Sequence, residues 1–260
     1  MVEGLGRFKD HFKEYTDHYI LIGGSACDWQ LEQKGVNFRA TKDLDIILVA
    51  EALSADFVRR FWQFIRQGGY SIAQIGEQKK FYRFIQPKEA EYPKMLELFS
   101  RKPDLIAESP DMHLTPIPME EEVSSLSAIL LDDAPYYFTV SHSTVTDDLH
   151  HATESALICL KAKAFLNNAT RKLAGHFVRK EDIDKHKRDV IRLTAALTPG
   201  TLIEAPSSIK TDLQRYSAII REENPDVRQI LQADVGIEQI LESLEQTFGL
   251  TAIMGPNPSF

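Results

Sequence analysis

Two carboxylates, Asp43 and Asp45, stand on either side of a single leucine in the run KDLDIILV. The apolar residues that follow give this run the character of a β-strand, and alternate residues of a strand share one face. Like charges so close together repel each other, and a divalent cation removes that cost. Because Mg²⁺ commonly binds one or two carboxylates together with substrate phosphates, the spacing indicates a magnesium site.

A glycine turn lies upstream of the carboxylates. Residues 19–22 have the composition of a short strand, and Gly23, Gly24 and Ser25 then lead into a helix predicted over residues 26–34. Glycines leave backbone N–H groups open to a phosphate, and the helix dipole and the serine hydroxyl add to the attraction. The turn and the carboxylates together suit a metal-bound nucleoside triphosphate. The alternative is an ordinary turn beside an exposed edge strand.

The ordered combination of turn and carboxylates resembles the nucleotidyltransferases of the DNA polymerase beta type. Their signature is an apolar residue, Gly-Gly or Gly-Ser, and then Asp-x-Asp on the next strand. Within that superfamily the string RATKDLD, residues 39–45, is more similar to the AbiEii/AbiGii-type toxins, which carry Arg-x-Thr-x-Asp before a hydrophobic residue and a second Asp. The resemblance implies that Arg39 and Thr41 orient Asp43 or contact phosphate. A surface arginine and an ordinary strand threonine are the alternatives.

The same resemblance implies a third acidic residue, on a later strand that faces the aspartate pair. Glu97 fits best, because it stands alone among apolar neighbours in the run KMLELFS, and an unpaired carboxylate buried in a strand is costly. Glu91 is a weaker candidate for the same role. A solvent-facing glutamate on an edge strand is the alternative to both.

Further candidate residues lie in the C-terminal half. Lys161 falls within the apolar stripe of a predicted helix, where a lysine either extends its amine to solvent or reaches an anion. In AbiEii-like proteins a lysine in this kind of helix is implicated in the nucleotide site, so the resemblance implies that Lys161 binds the triphosphate. It also implies nucleotide binding by Lys187 and Asp189, for which a surface helix with ion pairs is the alternative.

The remaining pattern predicts an α+β protein with a nucleotidyltransferase-like mixed β-sheet core flanked by helices, and a mainly helical C-terminal lobe. Residues 1–105 form the predicted catalytic core, residues 106–145 a connection with a β-hairpin, and residues 146–260 the helical lobe. The predicted elements are helices over residues 6–15 and 54–67, strands over 70–75, 80–85 and 94–99, hairpin strands over 126–131 and 136–140, a helix capped by Thr146, and helical segments over 201–249.

Composition narrows the class of protein. The chain of 260 residues is 43% hydrophobic, and it has neither an apolar run long enough to span a bilayer nor a signal-like N-terminal segment. We therefore expect a cytoplasmic protein with no membrane partner, in which Cys27 and Cys159 are buried thiols rather than a disulfide or a zinc site. The net charge of −8 argues against non-specific coating of nucleic acid, although residues 161–192 carry ten Lys and Arg against four Asp and Glu.

The function implied is that of a Mg²⁺-dependent nucleotidyltransferase, with Mn²⁺ as an alternative ion, that moves an NMP from an NTP to a hydroxyl. The resemblance implies an acceptor at an RNA 3′ end, for which the basic region would suit tRNA, or on a protein side chain. It also implies the toxin of a toxin–antitoxin system, with a cognate antitoxin as partner. A small-molecule transferase of the aminoglycoside type and a non-catalytic nucleotide-binding or interaction protein are the alternatives.

Overall fold

The computed structural model describes residues 2–36, 38–39, 41–49, 51–73, 81–99, 129–130 and 132–250. The helices are α1 (Leu5–Phe12), α2 (Gly23–Gln33), α3 (Ala55–Gly68), α4 (Asp133–Ser141), α5 (Glu154–Leu173), α6 (Lys180–Ala195), α7 (Ser207–Glu223), α8 (Val227–Leu231) and α9 (Ile237–Phe248), with a 3₁₀ helix at Lys13–His18. The strands are β1 (Tyr19–Ile22), β2 (Asp43–Leu48), β3 (Ser71–Ala73), β4 (Phe81–Ile85), β5 (Met95–Phe99), β6 (Ser143–Thr146) and β7 (Leu149–Ala152).

These strands form one mixed, open sheet in the order β3-β4-β5-β2-β1-β7-β6. Strand β2 is central, because it pairs antiparallel with β1 on one side and parallel with β5 on the other. The predicted α+β class is confirmed. The strands predicted over residues 70–75, 80–85 and 94–99 are confirmed as β3, β4 and β5 within the described residues.

An aromatic cluster covers one face of the sheet beneath α1 and α3. Phe8 of α1 meets Tyr19 of β1 edge to face, with 5.1 Å between the ring centroids, and Phe61 of α3 meets Phe84 of β4 at 5.5 Å. All four rings are buried. Because a buried aromatic side chain removes roughly 150–250 Å² from water, this cluster supplies much of the hydrophobic stabilisation of the sheet. On the opposite face, β2 and β5 carry Asp43, Asp45 and Glu97 beside buried apolar residues such as Ile47.

The predicted hairpin strand over residues 136–140 is wrong, because these residues lie in helix α4. The sequence before it, DDAP, is a helix start rather than a turn. The side chain of Asp132 accepts a hydrogen bond from the N–H of Ala134, and Pro135 lies in the first turn, where a missing N–H costs nothing. Of the partner strand predicted over residues 126–131, residues 129 and 130 are described and are helical, so the prediction is wrong there. Residue 131 and residues 106–128, which contain the rest of that strand and most of the predicted connection, lie outside the described residues.

The helix cap predicted at Thr146 is also wrong. Thr146 ends β6, and β7 follows after a two-residue turn formed by Asp147 and Asp148. These residues have φ of +48° and +60°, as the tight turns that join twisted strands require. Aspartate tolerates this left-handed conformation better than most residues. The two aspartates after Thr146 therefore form a hairpin turn and not the first turn of a helix. The predicted helix is confirmed only from Glu154 onward.

The chain divides into two compact units, residues 1–157 and residues 158–260. The first contains the whole sheet, including the β6–β7 hairpin, so it extends beyond the predicted core of residues 1–105. In the second unit the structure describes helices. Cys27 and Cys159 are both buried thiols, as predicted. Within the described ranges, no helix has the length and apolar character needed to cross a bilayer.

A buried histidine joins the hairpin to α2. The amide nitrogen of Gln30 lies 3.0 Å from Nδ1 of His151 and 3.0 Å from the carbonyl oxygen of Ala152, to which it donates. On the other side of the ring, Nε2 lies 2.7 Å from the hydroxyl of Thr146. Nδ1 also lies 3.3 Å from the carbonyl oxygen of Ala152. A neutral imidazole suits this arrangement, because a ring protonated at both nitrogens would leave the Gln30 amide facing a second donor.

Acidification should therefore destabilise this unit. Burial lowers the pKa of His151 below its ordinary value of 6.5, so its protonation favours the unfolded chain. The stability contributed by the neutral ring is complete above pH 6.5 and declines as the pH falls from there toward the lowered pKa. We expect urea unfolding to show a smaller dependence on pH between 7.5 and 5 for His151→Gln than for the wild type. The exposed His176→Gln is the control and should keep the wild-type dependence.

Candidate active site

The predicted glycine turn, Gly23 to Ser25, forms the first residues of α2 directly after β1, and its first glycine lies against a carboxylate of β2. Gly23 has φ of +69°, a left-handed conformation that favours glycine. The carboxylate of Asp45 lies directly beside it, since a Cβ added to Gly23 would stand 1.7 Å from Asp45 Oδ2. The antiparallel register pairs Ile22 with Asp45 and so fixes this approach. The glycine turn and one of the two predicted carboxylates are therefore neighbours.

The next two residues of the turn face the segment that leads into β2. A Cβ added to Gly24 would stand 2.8 Å from Thr41 Oγ1 and 3.5 Å from a terminal nitrogen of Arg39. Ser25 is fully buried, and its hydroxyl donates a hydrogen bond to the backbone carbonyl of Asp43. The serine hydroxyl thus ties α2 to β2, and what the turn offers to a ligand is backbone N–H groups. The structure brings these five predicted site residues together.

Three carboxylates share the polar face of the sheet. Asp43 and Asp45 are half-buried, and Leu44 between them is buried on the opposite side, which is the predicted alternation. The parallel register pairs Asp45 with Glu97 of β5. Because paired residues of neighbouring strands lie roughly 5 Å apart and point the same way, Glu97 faces the aspartate pair. Glu91, the weaker candidate, is instead exposed in the turn between β4 and β5.

Arg83 is the residue of this site that the sequence did not reveal. It lies on β4, paired in register with Glu97, and its guanidinium is 2.5 Å from the Glu97 carboxylate. Glu97 is only 8% exposed, so this ion pair offsets the cost of burying its charge. An arginine in a strand-like run is a weak signal by itself. The register of β4 against β5, which no local pattern specifies, is what gives it a partner.

The carboxylates of this face suit a magnesium ion that also binds substrate phosphates better than a metal site made of protein ligands alone. Among the residues that the structure describes, no three or more His, Cys, Asp or Glu side chains are grouped so that they could hold a metal ion. Two aspartates on one strand face satisfy Mg²⁺, which completes its coordination with water and substrate phosphates. Asp43 and Asp45 fit that role. Glu97 would have to leave Arg83 before it could act as a third ligand.

The predicted lysine of α5 is paired inside the second unit. Lys161 is 2% exposed, and its Nζ lies 3.3 Å from Oδ2 of Asp189, which is fully buried. Two of the predicted nucleotide-binding residues are therefore partners of each other. The expectation that Lys161 reaches an anion is met here by a carboxylate of α6. Its predicted contact with a triphosphate stays a prediction.

Lys187 forms ion pairs, which is the alternative to nucleotide binding that its sequence allows. Its Nζ lies 2.6 Å from Glu223 and 3.2 Å from Asp184, and these carboxylates raise its pKa above the ordinary value despite the opposing effect of partial burial. Lys187 therefore links α6 to the end of α7 through ion pairs. A role in nucleotide binding would compete with both contacts.

The sequence was also compared with known proteins. No family model matches the chain, and no curated protein matches it. The function is therefore inferred from the motif and from the geometry of the residues around Gly23 and Asp45.

Proposed function

We propose that this protein is a Mg²⁺-dependent nucleotidyltransferase that moves an NMP from an NTP to a hydroxyl acceptor. The observation that carries the proposal is the approach of the Asp45 carboxylate to Gly23 at the start of α2. A phosphate bound by the first turn of a helix would lie next to this carboxylate. The two anions repel each other unless a cation lies between them, and Asp43 on the same face adds a second ligand for it.

The register of the sheet supports a nucleotidyltransferase-like arrangement. Ile22, Asp45, Glu97 and Arg83 form one row across β1, β2, β5 and β4. The glycine turn follows directly after the first member of that row. The phosphate-binding turn, the metal ligands and the third acidic residue are therefore adjacent, as a single reaction centre requires.

The reaction forms a bond between the acceptor oxygen and the α-phosphorus of the NTP. The bond from that phosphorus to the oxygen bridging to the β-phosphate breaks, and pyrophosphate leaves. Asp43 and Asp45 would hold Mg²⁺, which when bound stabilises negative charge on the phosphoryl oxygens. The N–H groups of Gly23 and Gly24 orient the β- and γ-phosphates. Glu97 either accepts the hydroxyl proton or, released from Arg83, joins the metal ligands.

The proposed acceptor is an RNA 3′ end or a protein side chain, and the enzyme is the toxin of a toxin–antitoxin pair. Incubation of a lysate with each α-³²P-labelled NTP and the purified protein distinguishes the acceptors. Label in RNA-sized or protein-sized products supports the proposal, and label in a small product indicates the aminoglycoside-type alternative. If no product is labelled with any NTP, the transfer function is refuted. Co-purification of a second protein from the native host would identify an antitoxin.

Binding of NTP should be sensitive to a single methyl group at Gly23. In Gly23→Ala the added carbon would collide with Asp45 Oδ2 and close the space in which phosphate and carboxylate meet. We expect Gly23→Ala to weaken NTP binding in the presence of Mg²⁺ at least about tenfold by isothermal titration calorimetry, which corresponds to about 1.4 kcal/mol.

Gly35→Ala is a matched control for this substitution. Gly35 also has a positive φ, of +70°, but no heavy atom lies within 4 Å of its added Cβ. Both variants should lose roughly 1–2 kcal/mol of stability because alanine disfavours the left-handed conformation, and Gly23→Ala should lose more because its Cβ must displace the side chain of Asp45. Only Gly23→Ala should lose nucleotide affinity. Equal affinities for the two variants would refute a phosphate site at this turn.

A further inference from the structure

The connection between α5 and α6 is strongly cationic. Residues 171–180 have the sequence RKLAGHFVRK, with four Lys or Arg and no Asp or Glu. The whole chain has a net charge of −8, so the positive charge of this segment is opposite in sign to the charge of the whole chain. A cluster of this kind creates a local positive potential that attracts anionic ligands.

Two large apolar side chains are exposed in the same segment, one at the end of α5 and one in the connection that follows. Phe177 is 83% exposed and Leu173 is 71% exposed. The aromatic side chains of the core are almost fully buried, whereas the exposed ring of Phe177 adds little hydrophobic stabilisation to the fold. An aromatic ring held in water among cations is typical of surfaces on which the bases of a single-stranded nucleic acid stack.

Five cations, which we call the cationic strip, make no ion pair with any residue in the described part of the chain: Arg171, Lys172, Arg179, Lys180 and Arg188. Other lysines of the same two helices are paired. Lys163 lies 2.7 Å from Asp212, and Lys185 lies 2.8 Å from Asp182. The charges of the strip are therefore not used to hold the second unit together.

A groove of about 390 Å³ continues the strip along α6 and the beginning of α8. Lys180, Arg188 and Arg192 line it, on one side of α6. With 1.5 Å of rise per residue, Lys180 and Arg192 are about 18 Å apart along the helix, so the charges follow a line. The groove also contains two aspartates, but Asp184 is paired with Lys187 and Asp226 caps α8.

We propose that the cationic strip and this groove bind a single strand of nucleic acid. Its phosphates follow the cations along α6, and one of its bases stacks on the exposed ring of Phe177. Arginine matches phosphate particularly well, because its guanidinium can donate two parallel hydrogen bonds.

The geometry favours a polyanionic chain over the two other kinds of partner. A flat anionic membrane could reach Leu173 and Phe177 but could not enter a groove. An acidic protein segment could enter the groove, but its carboxylates would have no regular match to cations spread along one helix. A polynucleotide supplies both a phosphate at every residue and a flat base for the aromatic ring.

This site does not depend on the proposed transfer reaction, because none of the strip residues belongs to the proposed catalytic set. The two proposals can also fail separately. Oligonucleotide binding in EDTA needs neither Mg²⁺ nor NTP, and the double variant Asp43→Asn/Asp45→Asn should bind the oligonucleotide as the wild type does.

Fluorescence anisotropy with a labelled 20-nucleotide (CA)₁₀ RNA tests the proposal on the full chain in EDTA. We expect saturable binding whose affinity falls with salt, with a slope of log K against log salt of roughly −0.7 for each phosphate neutralised. Phe177→Ala should weaken binding about tenfold, whereas Phe177→Trp should retain it. Arg188→Gln should weaken binding and make the salt slope shallower by about 0.7.

Two controls match these variants in the same unit. Leu202→Ala removes another exposed apolar side chain, 80% exposed, and Arg215→Gln removes another exposed cation. Both should bind the RNA as the wild type does. Absence of binding at low salt would overturn the proposal, as would an unchanged affinity in Phe177→Ala. So would stronger binding to vesicles containing 30% phosphatidylserine, or equal competition by polyglutamate.

Discussion

Replacing Asp43 and Asp45 together by asparagine should lower kcat/KM for nucleotidyl transfer by at least about 10³-fold. Asparagine keeps the size of each side chain but removes the charge that holds Mg²⁺, and metal stabilisation of a phosphoryl transition state amounts to several kcal/mol. The measurement is the rate of label transfer from an α-³²P-labelled NTP to the acceptor. Calorimetry in the presence of Mg²⁺ should show weakened NTP binding by the same variant.

The double variant should remain folded, because asparagine matches aspartate in size and its side-chain oxygen can still accept hydrogen bonds. A cooperative thermal unfolding transition and an unchanged far-UV circular dichroism spectrum check that the loss of activity is not a loss of structure. The double variant Asp10→Asn/Asp17→Asn changes the net charge by the same amount at exposed positions of the same unit, and it should retain full activity. An Asp43→Asn/Asp45→Asn protein that keeps its biological effect would instead indicate a non-catalytic protein.

Local sequence patterns specified the elements that carry the candidate site. The helix predicted over residues 54–67 is confirmed as α3, and the hydroxyl of Ser54 caps it by accepting a hydrogen bond from the N–H of Phe57. The alternation of polar and apolar residues in β2 placed Asp43 and Asp45 on one face. Such features depend on residues close in sequence, so they can be read from it.

Contacts between distant segments could not be read in the same way. The partner of Glu97 is Arg83 because β4 pairs with β5 in one particular register, and the partner of Lys161 is Asp189 because α5 packs against α6. Both cations lie in sequences without a local signal for a partner.

Two further errors arose where one dipeptide pattern serves two structures. Two consecutive acidic residues began a helix in one case, at Asp132, and formed a hairpin turn in the other, at Asp147. The sequence pattern predicts the reverse, a turn between hairpin strands at Asp132 and a helix start at Thr146. Tertiary pairing decides between these outcomes, since β7 is held against β1 and β6.

The buried pair between Lys161 and Asp189 should be the most sensitive electrostatic contact of the second unit. Lys161→Met leaves the carboxylate of Asp189 buried without its cation, and Asp189→Asn leaves the ammonium of Lys161 without its anion. Each single substitution should cost roughly 3–5 kcal/mol, because a buried charge loses its ion-pair partner. The double variant Lys161→Met/Asp189→Leu removes both charges, and most of that stability should return. Urea unfolding of the four proteins measures the coupling energy.

Lys163 provides the control on the same helix. Its amine lies 2.7 Å from Asp212, closer than the 3.3 Å between Lys161 and Asp189, but its side chain is 31% exposed rather than 3%. If burial decides the cost, Lys163→Met should lose only about 0–1 kcal/mol despite the shorter distance. A loss as large as that of Lys161→Met would mean that distance matters more than burial.

The double variant also tests the predicted contact of Lys161 with the triphosphate. Because Lys161→Met/Asp189→Leu should be folded, its affinity for NTP can be measured without the ambiguity of a destabilised protein. Unchanged affinity by calorimetry would make the pair purely structural, with the carboxylate of Asp189 as the only anion that the lysine needs. A loss of about tenfold or more, with normal unfolding, would instead show that the ammonium contributes to nucleotide binding. In that case Asp189 is a positioning residue, because its carboxylate orients the ammonium group of Lys161 that binds phosphate.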